Sequence, residues 1–251
     1  MKKLNSINVF GEGSIVQGEY NKIRIFGEGE ISGKVKCKFL KIMGECQAHD
    51  FLDIEKIRIL GEAKIYNELL CRNLKVIGEC HLSKISTVYN LKILGELISE
   101  SNVIIKEKLR ILGELNSKGN LRGNIVRVLG ELNVKGDCES NIFYSKGRIN
   151  LHGLLSADKI KIIPRHRSLI EEIGGSEIVI RENRFISFIS GSVTSNIIEG
   201  DTIVLQNTRC KVVRGHNITI LEDCIIDKIE YTGILKVDKR STVGESICLK
   251  N

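Results

Sequence analysis

The sequence predicts an all-β fold, a β-solenoid with turns of about 17 residues, on the strength of three observations. The dipeptide Gly-Glu recurs at Gly11, Gly27, Gly44, Gly61, Gly78, Gly95, Gly113 and Gly130, in steps of 16, 17, 17, 17, 17, 18 and 17 residues. The residues leading into each glycine alternate apolar, polar, apolar. The composition suits strands: 42% of residues are hydrophobic but only 5% aromatic, with one proline, Pro164, against 24 glycines. Pleated surfaces favour β-branched side chains, and a ladder excludes proline because it donates no hydrogen bond.

The length of the repeat narrows the architecture. About seventeen residues are too few for a strand, a helix and two connections, and a propeller blade needs roughly 40. Three sides of four or five residues plus corners account for one turn. Each turn then pairs with its neighbours ~4.8 Å away, so that a column of the alignment becomes a ladder in space. Four places before the glycine stand Ile7, Ile23, Leu40, Ile57, Leu74, Leu91, Leu109 and Val126; two places before it stand Val9, Ile25, Ile42, Ile59, Val76, Ile93, Ile111 and Val128. Between them runs a polar column: Asn8, Arg24, Lys41, Arg58, Lys75, Lys92, Arg110 and Arg127. This is the period-two pattern of a strand with one buried face. The residue immediately before each glycine, from Phe10 to Leu129, is also apolar. It is either a corner residue or part of an exposed stripe.

The glycines are expected at corners, where a positive φ suits glycine alone. The glutamates that follow them, Glu12, Glu28, Glu45, Glu62, Glu79, Glu96, Glu114 and Glu131, form a carboxylate column. Neighbours in such a column repel by roughly 1 kcal/mol in water. The basic column, and backbone N–H groups at the corner, are the expected offsets. A catalytic carboxylate pair occurs once per site and not once per turn, so the column reads as structural.

Other chemistry is sparse in the sequence. There is no Gly-x-x-x-x-Gly-Lys-Ser/Thr, no His-Glu-x-x-His and no Gly-x-Ser-x-Gly, and the five histidines are scattered. The expectation is no enzyme, no cofactor and no metal. Eight cysteines contain no Cys-x-x-Cys pair. Cys37 and Cys71 share one column two turns apart, as do Cys46 and Cys80. Two turns span roughly 9.6 Å, beyond the reach of a disulfide. The formal charge is +7, but no block of five like charges occurs, so a solvated basic surface is expected rather than a nucleic-acid interface. No signal-like or membrane-spanning apolar run is present, and reduced thiols in the cytoplasm are expected.

After Gly130 the period loosens. Leu151-His152-Gly153-Leu154 reads as a degraded copy of the motif, and Ser176 to Ile180 as a further strand. The expected organisation is a solenoid over 1–180, a linker or insertion over 181–192, and a C-terminal solenoid segment over 193–251. In that last segment the strand-like runs are Thr202–Leu205, Asn217–Ile220 and Ile234–Val237.

Several segments resemble the bactofilins, the bacterial polymer-forming cytoskeletal proteins. The glycine-punctuated repeats carry part of the resemblance. Phe143-Tyr144-Ser145-Lys146-Gly147 and Gly153-Leu154-Leu155-Ser156-Ala157-Asp158 are similar to that family's "SKG…DGLLNAD" stretch. Lys211-Val212-Val213-Arg214-Gly215 and Ile229-Glu230-Tyr231 resemble longer Gram-positive members. The resemblance implies a right-handed β-helix of roughly triangular section whose members join end to end into filaments without nucleotide, some attached to membranes by an N-terminal segment. Here the N-terminus enters the first repeat almost at once, which counts against membrane contact.

An uncapped solenoid exposes unpaired backbone groups above an apolar core. Ile7, Val9 and Phe10 begin the first repeat with little chain before them, so that turn is the expected assembly surface. The expected partners are further copies of the chain, together with other cytoplasmic or envelope-associated proteins. Two alternatives stand beside this reading. One is a monomeric solenoid that displays its columns to a partner. The other is a left-handed β-helix acyltransferase, disfavoured because the dominant step is 17 and no hexapeptide register persists.

Overall fold

A computed structural model of the chain describes residues 4–182 and 191–249. Every regular element among them is a β-strand, and the strands pair in parallel with those one turn away. The fold is a β-solenoid, as the repeat predicts. It divides into two compact units, residues 1–124 and 125–251.

In the first unit, after the five-residue strand Asn5–Val9, a four-residue strand alternates with one of eight or nine, as in Glu45–Ala48 followed by Leu52–Ile59. The short strand buries its second and fourth residues, as Cys46 and Ala48 show. The long strand alternates too, until two successive residues face out: Lys38 and Phe39, Glu55 and Lys56, Arg72 and Asn73. That doubled outward step is a corner inside a continuous strand, and it divides the turn into three sides. The Cα register jumps at the same place, as between Val88 and Asn90.

The inner columns fill the interior with like on like. Ile23, Leu40, Ile57, Leu74, Leu91 and Leu109 form one, and Ile25, Ile42, Ile59, Val76, Ile93 and Ile111 another, none more than 2% exposed. Burying one such side chain contributes about 1.5–3 kcal/mol, and truncating it to alanine in a packed core costs about 2–5 kcal/mol.

The Gly-Glu column stacks as expected: Glu12, Glu28, Glu45, Glu62, Glu79, Glu96 and Glu114 are successive register partners. The reason for the glycines differs from the expectation. None of the eight has a positive φ; the glycine in the left-handed region is Gly33, at another corner, with φ 89°. What excludes a side chain is the turn beneath. The N–H of Glu45 donates to Gly27 O at 2.9 Å, that of Glu62 to Gly44 O at 3.0 Å, and that of Glu79 to Gly61 O at 3.0 Å. Each carbonyl so used points along the stacking direction, directly under the next glycine. A Cβ on Gly27, Gly44, Gly61, Gly78, Gly95 or Gly113 would sit less than 3.0 Å from it. At Gly11 a Cβ would meet nothing within 4 Å.

The second unit continues the same logic with longer strands. Gly147 follows Gly130 by 17 residues, a Cβ there would strike Gly130 O, and Arg148 N donates to that oxygen at 3.0 Å. The ninth copy of the corner is therefore Lys146-Gly147-Arg148, and the reading of Leu151 to Leu154 as the degraded copy is corrected. Gly153 belongs to a different corner, beside Asp137, whose carboxylate accepts from Leu154 N at 2.9 Å. Ser168–Ile180 pairs in parallel with Val193–Leu205, which pairs with Thr208–Ile220. Of the expected linker 181–192, residues 183–190 lie outside the described residues. The runs at 202–205, 217–220 and 235–237 stack in one ladder, through Ile203, Ile218 and Leu235.

The steric account separates two glycines of the same motif. Gly61→Ala should lower stability by about 1–3 kcal/mol, because the backbone above must move away from Gly44 O. Gly11→Ala should leave the denaturation midpoint unchanged. Urea titration of both variants checks this; equal losses would return the column to a φ explanation.

Candidate functional site

No group of three or more histidine, cysteine, aspartate or glutamate side chains is disposed to hold a metal among the described residues. A groove of about 530 Å³ lies over Gly13 and Gly29, lined by Glu12, Glu28, Glu30, Glu45 and His49. His49 stacks on Tyr66 with ring centroids 5.1 Å apart and lies 3.3 Å from Glu30. His81 is 3.0 Å from Glu79, and His216 Nδ1 is 2.8 Å from Thr232 Oγ1. These are pairs of surface side chains.

The glutamate column finds its partners beside it. Lys64 Nζ lies 2.7 Å from Glu62, and this contact holds the Glu62 carboxyl below, and the Lys64 ammonium above, their ordinary ranges. Asn116 Nδ2 donates to both Glu96 and Glu114 at 2.9 Å. Asn133 does the same for Glu131 at 3.3 Å. The expected offsets lay elsewhere, in the basic column and in corner N–H groups. Two residues after the glutamate is the position that shares its face, because side chains alternate along the strand. Corner N–H groups are instead taken by Asp and Asn at another corner. Gly33 N donates to Asp50 at 2.8 Å and Asn120 N to Asn102 at 2.8 Å. Four positions in the basic column, Lys41, Arg58, Lys75 and Lys92, have no ion pair among the described residues.

The apolar residue before each glycine resolves as a stripe on the surface. Phe10 is 75% exposed and stacks on Phe26, ring centroids 4.9 Å apart and 9° from coplanar. Phe26, Leu60, Leu94 and Leu112 remain exposed as well, and Met43 and Ile77 are half-buried.

The remaining site is where the columns stop. Among the described residues, the strand Asn5–Val9 of the first unit pairs on one side only, with Gly18–Ile25, and Glu12–Ile15 only with Glu28–Ile31. Of the expected surface residues, Phe10 is exposed, Ile7 half-buried and Val9 just buried. In the second unit Leu235–Val237 and Thr242–Cys248 also pair on one side among the described residues. Its residues continue core columns without being covered: Ile220 is 1% exposed, and its partner Val237 is 44% exposed. This second open face was not read from the sequence, although its alternating run Leu235, Val237, Val243 was visible there.

The cysteines stack as the spacing required. Cys37, Ile54 and Cys71 share one column, and Cys46, Ala63 and Cys80 another. All eight are free; seven are buried and Cys248 is exposed. Burial pushes the Cys46, Cys71, Cys138 and Cys210 thiols up to about 12, and Cys224 to about 11.

The molecule these features define is a parallel β-solenoid with ladder-lined sides and open terminal turns. The chain is 38% identical over 95 residues, 37% of its length, to YhbF, an uncharacterized protein of Bacillus subtilis (strain 168). It is 33% identical over 100 residues, 38% of its length, to YhbE, an uncharacterized protein of the same organism. The matches span 40% and 42% of those two relatives. No family model matches the chain, and no solved structure matches it.

Buried neutral thiols carry a pH consequence. Their folded values lie above the ordinary 9.0, so their contribution is complete below that pH and is lost as pH rises from 9.0 toward about 12. The urea midpoint should therefore fall between about pH 8 and about pH 10.5, which the unfolded thiols enter as thiolates. A maleimide at neutral pH should label one cysteine in the native protein and eight after denaturation. Labelling of several in the native state would show the columns to be open.

Proposed function

We infer that the protein is a structural, self-assembling solenoid of the bactofilin kind, which polymerises end to end in the cytoplasm without nucleotide. One observation carries this reading: core columns reach an uncovered turn. Val237 stands over fully buried Ile220 yet is 44% exposed, and Ile7 continues the column of fully buried Ile23 yet is only half-buried. A sheet edge with unpaired N–H and C=O groups over apolar side chains is a template for another strand pair. Solenoids that stay single cover such turns with a polar cap. Gly11 supports the same reading. Within the chain nothing requires a glycine there, but a turn stacked beneath it would impose the same carbonyl clash that excludes side chains at Gly27 and Gly44.

The resemblance to bactofilins in 143–147 and 153–158 points the same way. It adds the filament form and the absence of nucleotide, which geometry alone does not supply. The polymer's partner is then the chain itself, with no cofactor and no catalytic group.

Electron microscopy of the purified protein without nucleotide should show filaments. Phe10→Asp and Val237→Asp, each on an exposed position, should reduce the protein to short oligomers or single chains while leaving its thermal transition intact. A wild-type protein that sediments as a monomer at high concentration would end the polymer reading and leave a monomeric interaction scaffold.

A further inference from the structure

The side of the first unit holds a second surface that the end-to-end reading does not use. The stripe of Phe26, Met43, Leu60, Ile77, Leu94 and Leu112 runs along one corner over five steps, roughly 24 Å at the strand spacing. On one flank, two residues earlier in each turn, stand Arg24, Lys41, Arg58, Lys75, Lys92 and Arg110. On the other flank, two residues later, stand Glu28, Glu45, Glu62, Glu79, Glu96 and Glu114. Lys41, Arg58, Lys75 and Lys92 have no ion pair, and neither do Glu28 and Glu45, among the described residues.

A seam that is apolar in the middle, cationic on one flank and anionic on the other is complementary to itself in one orientation. Let two copies meet stripe to stripe, related by a two-fold axis that runs along the stripe. Their turns then ascend in the same direction, residue faces its own counterpart, and the cationic flank of each copy lies against the anionic flank of the other. Turning one copy end for end keeps the stripes together but sets cation against cation and carboxylate against carboxylate. Like charges so placed repel. An anionic lipid surface or a polyanion gains on one flank what it loses on the other, because the two columns alternate sign around the same corner.

We propose that the first unit's Phe26–Leu112 stripe is a side-to-side interface with a second copy of this chain, in parallel and in register. The apolar seam supplies contact area, and the two flanks select the orientation. An isologous contact of this kind leaves the first unit's terminal turn free. It therefore stands independently of end-to-end growth, and in a polymer it would join filaments of the same direction in pairs.

Cysteine cross-linking reads the orientation. In a Cys248→Ser background, Phe26→Cys and Leu112→Cys are made separately, one of them carrying a mass tag, and each is oxidised alone and in a mixture. Parallel pairing gives a disulfide dimer in each protein alone and no tagged–untagged hybrid in the mixture. Antiparallel pairing, whose centre lies between Leu60 and Ile77, sets Phe26 against Leu112 and gives the hybrid and not the self-linked dimers. That outcome overturns the proposal, as does the absence of dimers of any kind. The yield should fall at least tenfold in 1 M salt, where the screening length is about 3 Å. It should also fall tenfold when Lys41→Glu, Arg58→Glu and Lys75→Glu are combined. Mixing that triple variant with one bearing Glu45→Lys, Glu62→Lys and Glu79→Lys should restore it, which a merely misfolded variant could not do. Val237→Asp, which blocks the terminal turn of the second unit, should leave the cross-link unaffected.

Discussion

The backbone hydrogen bond from each glutamate N–H to the carbonyl of the preceding turn's glycine sets the terms for the rest of the molecule. It fixes the vertical distance between turns at a strand spacing and lays each residue over its homologue. Once that register holds, Gly27 stands on an oxygen and cannot carry a side chain, and the requirement passes upward turn by turn. The interior follows from the same stacking. Ile23 over Leu40 over Ile57 packs well because branched side chains of similar volume repeat at a spacing they can fill.

Like-on-like stacking has opposite consequences for charge. An apolar column gains from each added turn, whereas a charged one accumulates repulsion. The glutamate column meets this with neighbours of mixed chemistry: an ammonium at Lys64, an imidazole at His81 and amides at Asn116 and Asn133. A column made wholly of lysine at that position would have exchanged one ladder of like charges for two. The basic column is not offset in this way. Its side chains are long enough to keep their charged ends in water, where charges more than about 8 Å apart are screened.

How much of this was legible follows from what each rule needs. Inner columns need only a period of two within a strand and about seventeen between turns, both countable along the chain, so the solenoid and its core could be read directly. The meaning of the glycines could not, because the clash depends on an atom one turn away. A glycine that needs positive φ and one that needs empty space look alike in sequence. The same confusion hid the ninth corner. Gly-Glu was read as the unit, but sterics require only the glycine, and Gly147 is followed by Arg148. The glutamate partners were misassigned for a related reason. Four residues along the chain crosses a corner onto another side, whereas two residues stay on the same face. The Asp and Asn corner had a visible signal, Asp50 and Asn67 being 17 residues apart, but it carries no repeated dipeptide to draw it out.

The terminal turns follow from the same bond that builds the interior. A hydrogen-bonded turn satisfies its upper groups with the next turn and its lower groups with the last, so a stack has no internal reason to stop. Ending it requires a departure from the pattern, such as a charged residue in an inner column or a polar segment folded across the face. Neither open turn carries a charged residue in an inner column among the described residues: Ile7 and Val9 stand there at one, and Leu235, Val237 and Val243 at the other, while the polar residues in inner columns, Asn5 over Tyr20 and Ser246 over Ile229, are uncharged. Apolar residues are kept in inner columns at Leu235, Val237 and Val243, over Ile218, Ile220 and Ile226. A surface that keeps a core's pattern is one that another turn can cover, and the nearest source of a turn with the same spacing is the same chain.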